Sequence, residues 1–294
     1  MTKHIPVLKN ELITGLDLKK GDVVVDCTLG GGGHAIEVVK VLEEKGGGTF
    51  IGIDFSKESI DNFKKVVKGF KKVKIELFNK NFAKLEEIIK ELGIEKIDKL
   101  YADLGFSSDQ IEEITFRKDQ ELDMRLDSEM VVKAKDLLNG LYKKEIEKMF
   151  KDYGDVRYAG LLAREIEFYK KTKPFERTTQ LNAIVKTVLN NVRKATIVDK
   201  ELQKIYQALR VAVNSEFVNL EKMLETAVNY LNTLGRIAVI SFHSGEDRIV
   251  KRVMKTAVKT NDYNWIGELV LPTSSEVSKN TRSRSSKMRI LGKL

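Results

Sequence analysis

The chain has 294 residues, of which 42% are hydrophobic and 32% charged, a composition typical of a soluble globular protein with one large or two ordinary domains. Its single cysteine, Cys27, excludes an intramolecular disulfide and a cysteine-rich zinc site. The net charge of +9 favours polyanionic partners such as nucleic acid. Since no apolar run approaches the roughly 20 residues that span a bilayer, we expect a soluble, cytoplasmic protein without membrane segments.

The first hundred residues alternate between strand and helix patterns, after an N-terminal stretch that we expect to be extended. We predict strands at 22–27, 49–53, 73–78 and 97–102, and helices at 34–44, 56–70 and 83–92. Strands that alternate with helices in this way are typical of a parallel, doubly wound α/β sheet.

The pattern changes at about residue 109, after which no strand is apparent and apolar residues recur at helical spacing. The α/β pattern then resumes, and we predict one long helix at 206–231, a strand at 236–242, a helix at 246–258 and strands near 265–269 and 287–291. The sequence therefore predicts an α/β domain formed by residues 1–108 and 205–294, which an all-helical insertion at 109–204 interrupts.

A glycine-rich turn between the first strand and the first helix is a candidate binding site. The amides of Gly30–Gly33 can approach a ligand closely, and a helix N-terminus favours negative charge. Asp54 ends the second strand, where its carboxylate can accept hydrogen bonds from both hydroxyls of a ribose. Because the run lacks the third glycine of the dinucleotide fingerprint, a cofactor without a pyrophosphate, such as S-adenosylmethionine, fits better. The alternative is a plain tight turn followed by a capping aspartate.

A second candidate lies at the end of the fourth strand. Methylation of an exocyclic amine needs an acceptor for the N–H group and an aromatic side chain that holds the base. Asp103 and Phe106 supply these two groups three residues apart. The alternative is that Asp103 contacts only the cofactor and that Phe106 only packs.

Two further constellations each allow two interpretations. Arg125, between Asp123 and Asp127, could position the substrate nucleotide or form an internal ion pair, and a metal site is less convincing because these two acids lack a third ligand. His243 follows the fifth predicted strand and could contact the target base or its phosphate. The alternative there is a helix cap, with Ser244 as the N-cap residue.

The C-terminal segment concentrates cations. Arg282 and Arg284, with Lys287 and Arg289 close behind, suit contacts with RNA phosphates. The alternative is a solvated terminal segment.

Eight strings along the chain resemble a known family. They are HIPVL at 4–8, GGGGH at 30–34, GID at 52–54, DLGFSS at 103–108, LDMRLD at 122–127, YQALR at 206–210, ISFHS with EDRIVK at 240–251, and RSRSS at 282–286. In this order they resemble the bacterial 16S ribosomal RNA cytosine-N4 methyltransferases, the small-subunit methyltransferase H family.

The resemblance implies a Rossmann-like methyltransferase sheet with a helical substrate-recognition insertion. It also implies S-adenosylmethionine as the methyl donor and N4 of a cytidine in the decoding region of 16S ribosomal RNA, within a 30S particle, as the acceptor. The family's cofactor positions correspond here to Gly32, Gly33, His34, Asp54, Phe82, Asp103 and Gln110.

Several positions depart from the family pattern. Asp109 replaces a proline, Gly245 replaces a leucine, and residues 197–204 lack the usual string. The alternatives are therefore a methyltransferase for another RNA base or a small molecule, or a ribosome-assembly protein that keeps the cofactor site without turnover. The sequence leaves open whether the protein forms a homodimer.

Overall fold

The computed structural model describes residues 6–105, 115–127 and 130–294. The chain divides into two compact units, one of Met1–Ser107 with Val218–Leu294 and the other of Ser108–Phe217. In the described part of the chain, no helix is both long enough and apolar enough to cross a membrane.

The first unit is built on a seven-stranded sheet in the order β3-β2-β1-β4-β5-β7-β6. The strands are β1 (Val23–Asp26), β2 (Gly48–Asp54), β3 (Val73–Asn79), β4 (Ile97–Asp103), β5 (Leu231–Ser241), β6 (Tyr263–Trp265) and β7 (Lys287–Lys293). The first five are mutually parallel, as predicted. Helices connect them, which confirms the doubly wound α/β fold.

The helices of the described residues are α1 (Lys9–Leu16), α2 (Gly33–Lys45), α3 (Lys57–Val66), α4 (Leu85–Glu91), α5 (Ala134–Gly140), α6 (Lys143–Gly154), α7 (Ala159–Lys170), α8 (Thr178–Asn191), α9 (Val198–Val213), α10 (Glu216–Tyr230), α11 (Ser244–Val258) and α12 (Ser274–Lys279). Short 3-10 helices occur at Val67–Gly69, Phe82–Lys84, Ala195–Ile197 and Thr281–Ser285. Helix α1 lies in the stretch for which the sequence predicts an extended chain.

Strand β7 is the exception to the parallel pattern, because it runs antiparallel to both β5 and β6. The connection from β6 to β7 contains Val270, which forms an isolated bridge with Met288, then α12 and a 3-10 turn, and β7 starts from the edge where β6 ends. Lys287, the first residue of β7, accordingly pairs with Ser241, the last residue of β5.

The predicted long helix at 206–231 is wrong, because the chain breaks between α9 and α10. Ser215 has a φ of 51°, in the left-handed region that ends a helix. Asn214 uses its side chain in the break, donating to the carbonyls of Met124 and Arg210 and accepting from the Leu126 amide. The helix therefore ends where a loop of its own unit is anchored.

The second unit extends further than predicted, to Phe217 rather than residue 204. The reason is the apolar face of α9, where Ile205, Leu209 and Val213 are buried in one core with residues of α5–α8. Residues 205–217 therefore fold with the helical unit. Its only strand-like feature among the described residues is an isolated bridge between Glu121 and Arg177.

Candidate active site

Three aspartates end three neighbouring strands of the sheet. Asp26, Asp54 and Asp103 are the last residues of β1, β2 and β4. Because β1 lies between β2 and β4 and the three strands are parallel, the carboxyl groups lie along one edge. This is the edge at which open α/β sheets bind their ligands.

Asp26 is the most deeply buried of the three, with 1% of its surface exposed. It accepts hydrogen bonds from the Tyr101 hydroxyl over 2.7 Å and from the Thr28 amide over 2.9 Å. Burial, together with the charges of Asp54 and Asp103, raises the pKa of Asp26 to about 7. Asp26 is not among the site residues predicted from the sequence, although an acid that ends a run of three valines was a usable signal.

The turn after β1 is tied to β2 by Asp54. The Gly30 amide donates to Oδ2 of Asp54 over 2.7 Å, and the Ser56 amide donates to Oδ1 over 2.8 Å. Burial raises the pKa of Asp54, while the two amide hydrogen bonds act in the opposite direction. Each carboxylate oxygen keeps a second lone pair. Asp54 can therefore hold the turn and still accept the hydroxyls of a ribose.

The N-terminus of α2 faces the same edge. Its N-cap is Gly32, which adopts a φ of 74° and has no side chain that could cap the helix. A Cβ atom there would lie 2.7 Å from the ring of Phe63, and one at Gly33 would lie 3.3 Å from Pro6. The first amides of a helix have no intrahelical acceptor, and its positive end favours a carboxylate. The amino-acid end of S-adenosylmethionine fits this turn.

Asp103 is positioned by β1 and α2. Its amide donates to Oγ1 of Thr28 over 2.7 Å, and its Oδ1 accepts from the Gly105 amide over 3.2 Å. The ring of His34, which is buried, lies between Oδ2 of Asp103, 3.4 Å from Nδ1, and the carbonyl of Val7, 2.8 Å from Nε2. Because a carbonyl oxygen only accepts, Nε2 carries a proton. The structure thus brings the predicted residues His34 and Asp103 together.

The remaining predicted cofactor residues are less completely described. Phe82 is half-buried at the start of a 3-10 helix that follows the carboxyl end of β3, next to β2. It therefore lies at the same edge as Asp54. Phe106 and Gln110 lie outside the described residues.

His243 forms the N-terminal cap of α11. Its Nδ1 accepts from the Glu246 amide over 3.4 Å, and Oε2 of Glu246 accepts from the amides of Phe242 and His243. Nε2 of His243 also lies 2.8 Å from Oε1 of Glu246. The helix-cap interpretation fits this geometry, but the predicted N-cap was wrong by one position, because Ser244 is the first helical residue.

Arg125 forms an internal ion pair in the helical unit. Its Nε and Nη2 atoms donate to the two carboxylate oxygens of Asp123 over 2.6 and 2.9 Å. Such a two-point contact holds the planar guanidinium in one orientation. Of the two interpretations of this segment, the geometry favours the internal ion pair.

Arg282 and Arg284 are exposed on the 3-10 helix before β7. Ser283 and Ser286 are fully buried, and their hydroxyls donate to the carbonyls of Asn280 and Ser283. The two arginines are therefore carried by an anchored turn, which differs from a loose terminal tail.

The glycine turn, Asp54 and Asp103 at one edge of a doubly wound sheet fit S-adenosylmethionine, and the class that they indicate is an α/β methyltransferase. Comparison with known proteins gives the family. The chain belongs to the MraW methylase family, whose model matches residues 1–294. This confirms the family predicted from the sequence. It also confirms that the protein is an S-adenosylmethionine-dependent methyltransferase.

Relatives of this chain match it over almost its whole length. Ribosomal RNA small subunit methyltransferase H of Clostridioides difficile is 35% identical over 312 residues, covering 99% of each chain. The protein of the same name from Clostridium botulinum is 36% identical with the same coverage. A solved structure described as an rRNA methylase from Streptococcus thermophilus aligns with all of this chain and 99% of its own, at 11% identity and a TM-score of 0.45.

Proposed function

We propose that the protein transfers the methyl group of S-adenosylmethionine to N4 of a cytidine in the decoding region of 16S ribosomal RNA, within a 30S particle. The relatives' names, which specify small-subunit ribosomal RNA, support the substrate class. The observation that carries the chemistry is Asp103, a carboxylate fixed at the end of β4 beside the glycine turn.

When bound, S-adenosylmethionine supplies an electrophilic methyl group on a positively charged sulfur. Asp54 orients the ribose, and the N-terminus of α2, from Gly32 onward, holds the carboxylate of the methionine end. Both contacts use backbone and side chains that are already fixed in the protein, so alignment supplies much of the rate.

The amine nitrogen of cytosine is a poor nucleophile because its lone pair is delocalised into the ring. Asp103 accepts a hydrogen bond from the N4–H group, which strengthens as the lone pair localises in the transition state. As the N–C bond forms, the bond between the sulfur and the methyl group breaks and the sulfur leaves as a neutral thioether. The nitrogen then carries one excess proton, which the Asp103 carboxylate accepts. Asp103 therefore acts on the reacting amine, while Phe106 stacks on the base.

Recognition of the RNA is assigned to the helical unit of Ser108–Phe217 and to the arginines Arg282 and Arg284. The cap that His243 forms with Glu246 fixes the start of α11, directly after the carboxyl end of β5. These roles follow the family's arrangement, in which a helical insertion selects the substrate and the sheet holds the cofactor.

The test is to locate the methyl group. We expect mass spectrometry of ribosomal RNA to find N4-methylcytidine at one decoding-region position in wild-type cells and unmodified cytidine there after deletion of the gene. The purified protein should restore it on 30S particles in the presence of S-adenosylmethionine. Methylation of another base would contradict the proposed acceptor. Binding to 30S particles without methyl transfer would contradict the proposed enzymatic activity.

A further inference from the structure

One face of α11 carries a row of exposed cations. The opposite face packs on the sheet through Ile249, Val253 and Met254, among others. The cations recur three or four residues apart, which places them on one side of a helix. They are Arg248, Lys251, Arg252, Lys255 and, at the C-cap, Lys259.

A groove runs beside this row, between α11 and the edge of the sheet formed by β6 and β7. Its volume is about 420 Å³. Lys251 and Lys255 form one wall, and the partly exposed ring of Trp265 contributes an aromatic surface. The remaining lining residues are Gly267, Glu268, Leu269, Arg289 and Ile290.

Acidic side chains neutralise only part of this surface. Glu221 pairs with Arg252 over 2.7 Å, Asp247 pairs with Arg289 over 2.7 Å, and Glu268 lies in the groove itself. Within residues 6–105, 115–127 and 130–294, no ion pair engages Lys251, Lys255 or Lys259. The row therefore keeps a positive surplus next to an aromatic ring.

We propose that this surface, the α11 cations with the Trp265 groove, binds the phosphate backbone of single-stranded RNA with one base against Trp265. Lysines act as point charges that attract phosphates irrespective of sequence. A basic groove with an aromatic platform is the arrangement that proteins use for single strands. The inference rests on the proposed function, because it takes ribosomal RNA as the substrate.

The position of the surface says which part of the RNA it holds. Helix α11 begins directly after the carboxyl end of β5 and runs away from that edge. From Arg248 to Lys259 the row spans about 16 Å at the helical rise of 1.5 Å per residue. The surface therefore contacts nucleotides that flank the target, while the target itself reaches the aspartate edge.

The test compares two triple variants of equal charge. K251Q/K255Q/K259Q removes three cations of the proposed surface, and K64Q/K65Q/K68Q removes three exposed lysines on and just after α3. We expect the first variant to bind a transcript of small-subunit ribosomal RNA at least tenfold more weakly. The salt slope, which is the slope of log K against log salt concentration, should fall in magnitude by two or three. The α3 variant should stay within twofold of wild type, and both should bind S-adenosylmethionine normally.

Trp265 provides a second readout, because it is the only tryptophan in the chain. Its fluorescence should be quenched as the transcript binds, and W265L should weaken binding severalfold while W265F keeps most of it. The proposed RNA-binding surface is wrong if Trp265 emission is unchanged when RNA saturates the protein, or if the two triple variants bind RNA with equal affinity. If loss of the α11 lysines instead abolishes binding only to phosphatidylserine vesicles, the surface is a lipid contact and the inference is wrong.

The outcomes also separate this inference from the proposed function. If wild-type protein methylates 30S particles but the α11 and α3 triple variants bind RNA equally well, the proposed RNA-binding surface is wrong and the proposed function stands. Wild-type protein that neither binds nor methylates ribosomal RNA overturns both.

Discussion

Acidic side chains at the carboxyl edge of the sheet and acidic side chains in the helical unit lie in opposite environments. At the carboxyl edge of the sheet, burial raises the pKa values of Asp26 and Asp54. In the helical unit, side-chain hydrogen bonds from cations lower the pKa values of acids: Arg177 acts on Asp119, Lys135 on Glu121, and Arg125 on Asp123. Hydrogen-bonded cations therefore stabilise these carboxylates of the helical unit, whereas burial holds Asp26 and Asp54 in a costly environment.

This difference distinguishes acids that maintain local structure from acids that form the candidate site. Exposed ion pairs contribute little to stability and are screened by salt, so the pairs of the helical unit mainly fix local geometry. Carboxyl groups that are buried close together cost free energy, and such groups concentrate at functional sites. Asp26 and Asp54, together with Asp103 at the same edge, are therefore the positions where substitution should separate activity from stability.

Asp103 should give the largest effect. We expect Asp103→Ala to lower the single-turnover rate of methyl transfer by roughly 100- to 10,000-fold, the range for loss of a general base. Affinity for S-adenosylmethionine, measured by calorimetry, should change less than threefold. Asp61→Ala, an exposed acid on α3, is the control. If affinity falls while the chemical step does not, Asp103 is a cofactor ligand only.

Asp26 should make stability depend on pH. The folded protein holds a carboxyl with a pKa of about 7, whereas the unfolded chain ionises near 3.8. The folded state therefore binds more protons between those values, and stability falls as pH rises from about 4 to 7. Relative to Asp26→Asn, wild type should lose about 3 kcal/mol across this window in urea unfolding. Parallel pH profiles for the two proteins would sink this assignment.

A substitution at Gly32 tests whether the glycine turn requires a backbone conformation that only glycine adopts without strain. Ala at this position has to adopt a φ of 74° with its Cβ 2.7 Å from Phe63, so we expect a loss of about 2 kcal/mol in unfolding free energy. Gly69→Ala is the matched control, because a Cβ there meets no atom within 4 Å. Equal stability of the two variants would mean that the turn relaxes without cost.

The sheet edge could be predicted from sequence because its signals are local. A β-branched run followed by four glycines predicts a strand, a turn and a helix, and Asp54 at the end of the next strand completes the pattern. Asp26 was missed because its raised pKa depends on burial and on the charges of Asp54 and Asp103, which the strand order brings to the same edge and which the sequence does not display.

Features that depend on distant contacts could not be predicted. The break at Ser215 lacks glycine or proline, and the side chain of Asn214 is held by a loop almost ninety positions earlier in the chain. The end of the helical unit depends on where the apolar face of α9 is buried. Periodicity finds such a face, but it does not tell which core the face joins.

Asp54 should have a moderate effect on cofactor binding. Asp54→Ala removes the acceptors for the ribose hydroxyls, and we expect the affinity for S-adenosylmethionine to fall about tenfold, or about 1.4 kcal/mol. Asp54→Asn keeps one acceptor oxygen and should lose less. Calorimetry that finds unchanged affinity in the alanine variant removes Asp54 from the site.

The smallest effect is expected at the two arginines of the C-terminal turn. R282Q/R284Q should weaken binding of small-subunit ribosomal RNA severalfold and lower the salt slope by about two, since each phosphate contact releases about one counterion. Both arginines are exposed just before Lys287, which pairs with Ser241 at the carboxyl end of β5. They therefore lie near the aspartate edge, where we expect them to contact phosphates beside the target base.

Arg125→Gln is the informative comparison for that double variant. Arg125 is held at two points by Asp123, so its loss should loosen the segment without changing the salt slope of RNA binding. A reversed result, with a lower salt slope for Arg125→Gln and an unchanged one for R282Q/R284Q, would remove the two arginines from the RNA-binding surface and leave that role to the helical unit. In that case the cations that bind RNA are ones already paired with acids of the protein. The contrast between the sheet edge and the helical unit would then no longer distinguish structural from functional charges.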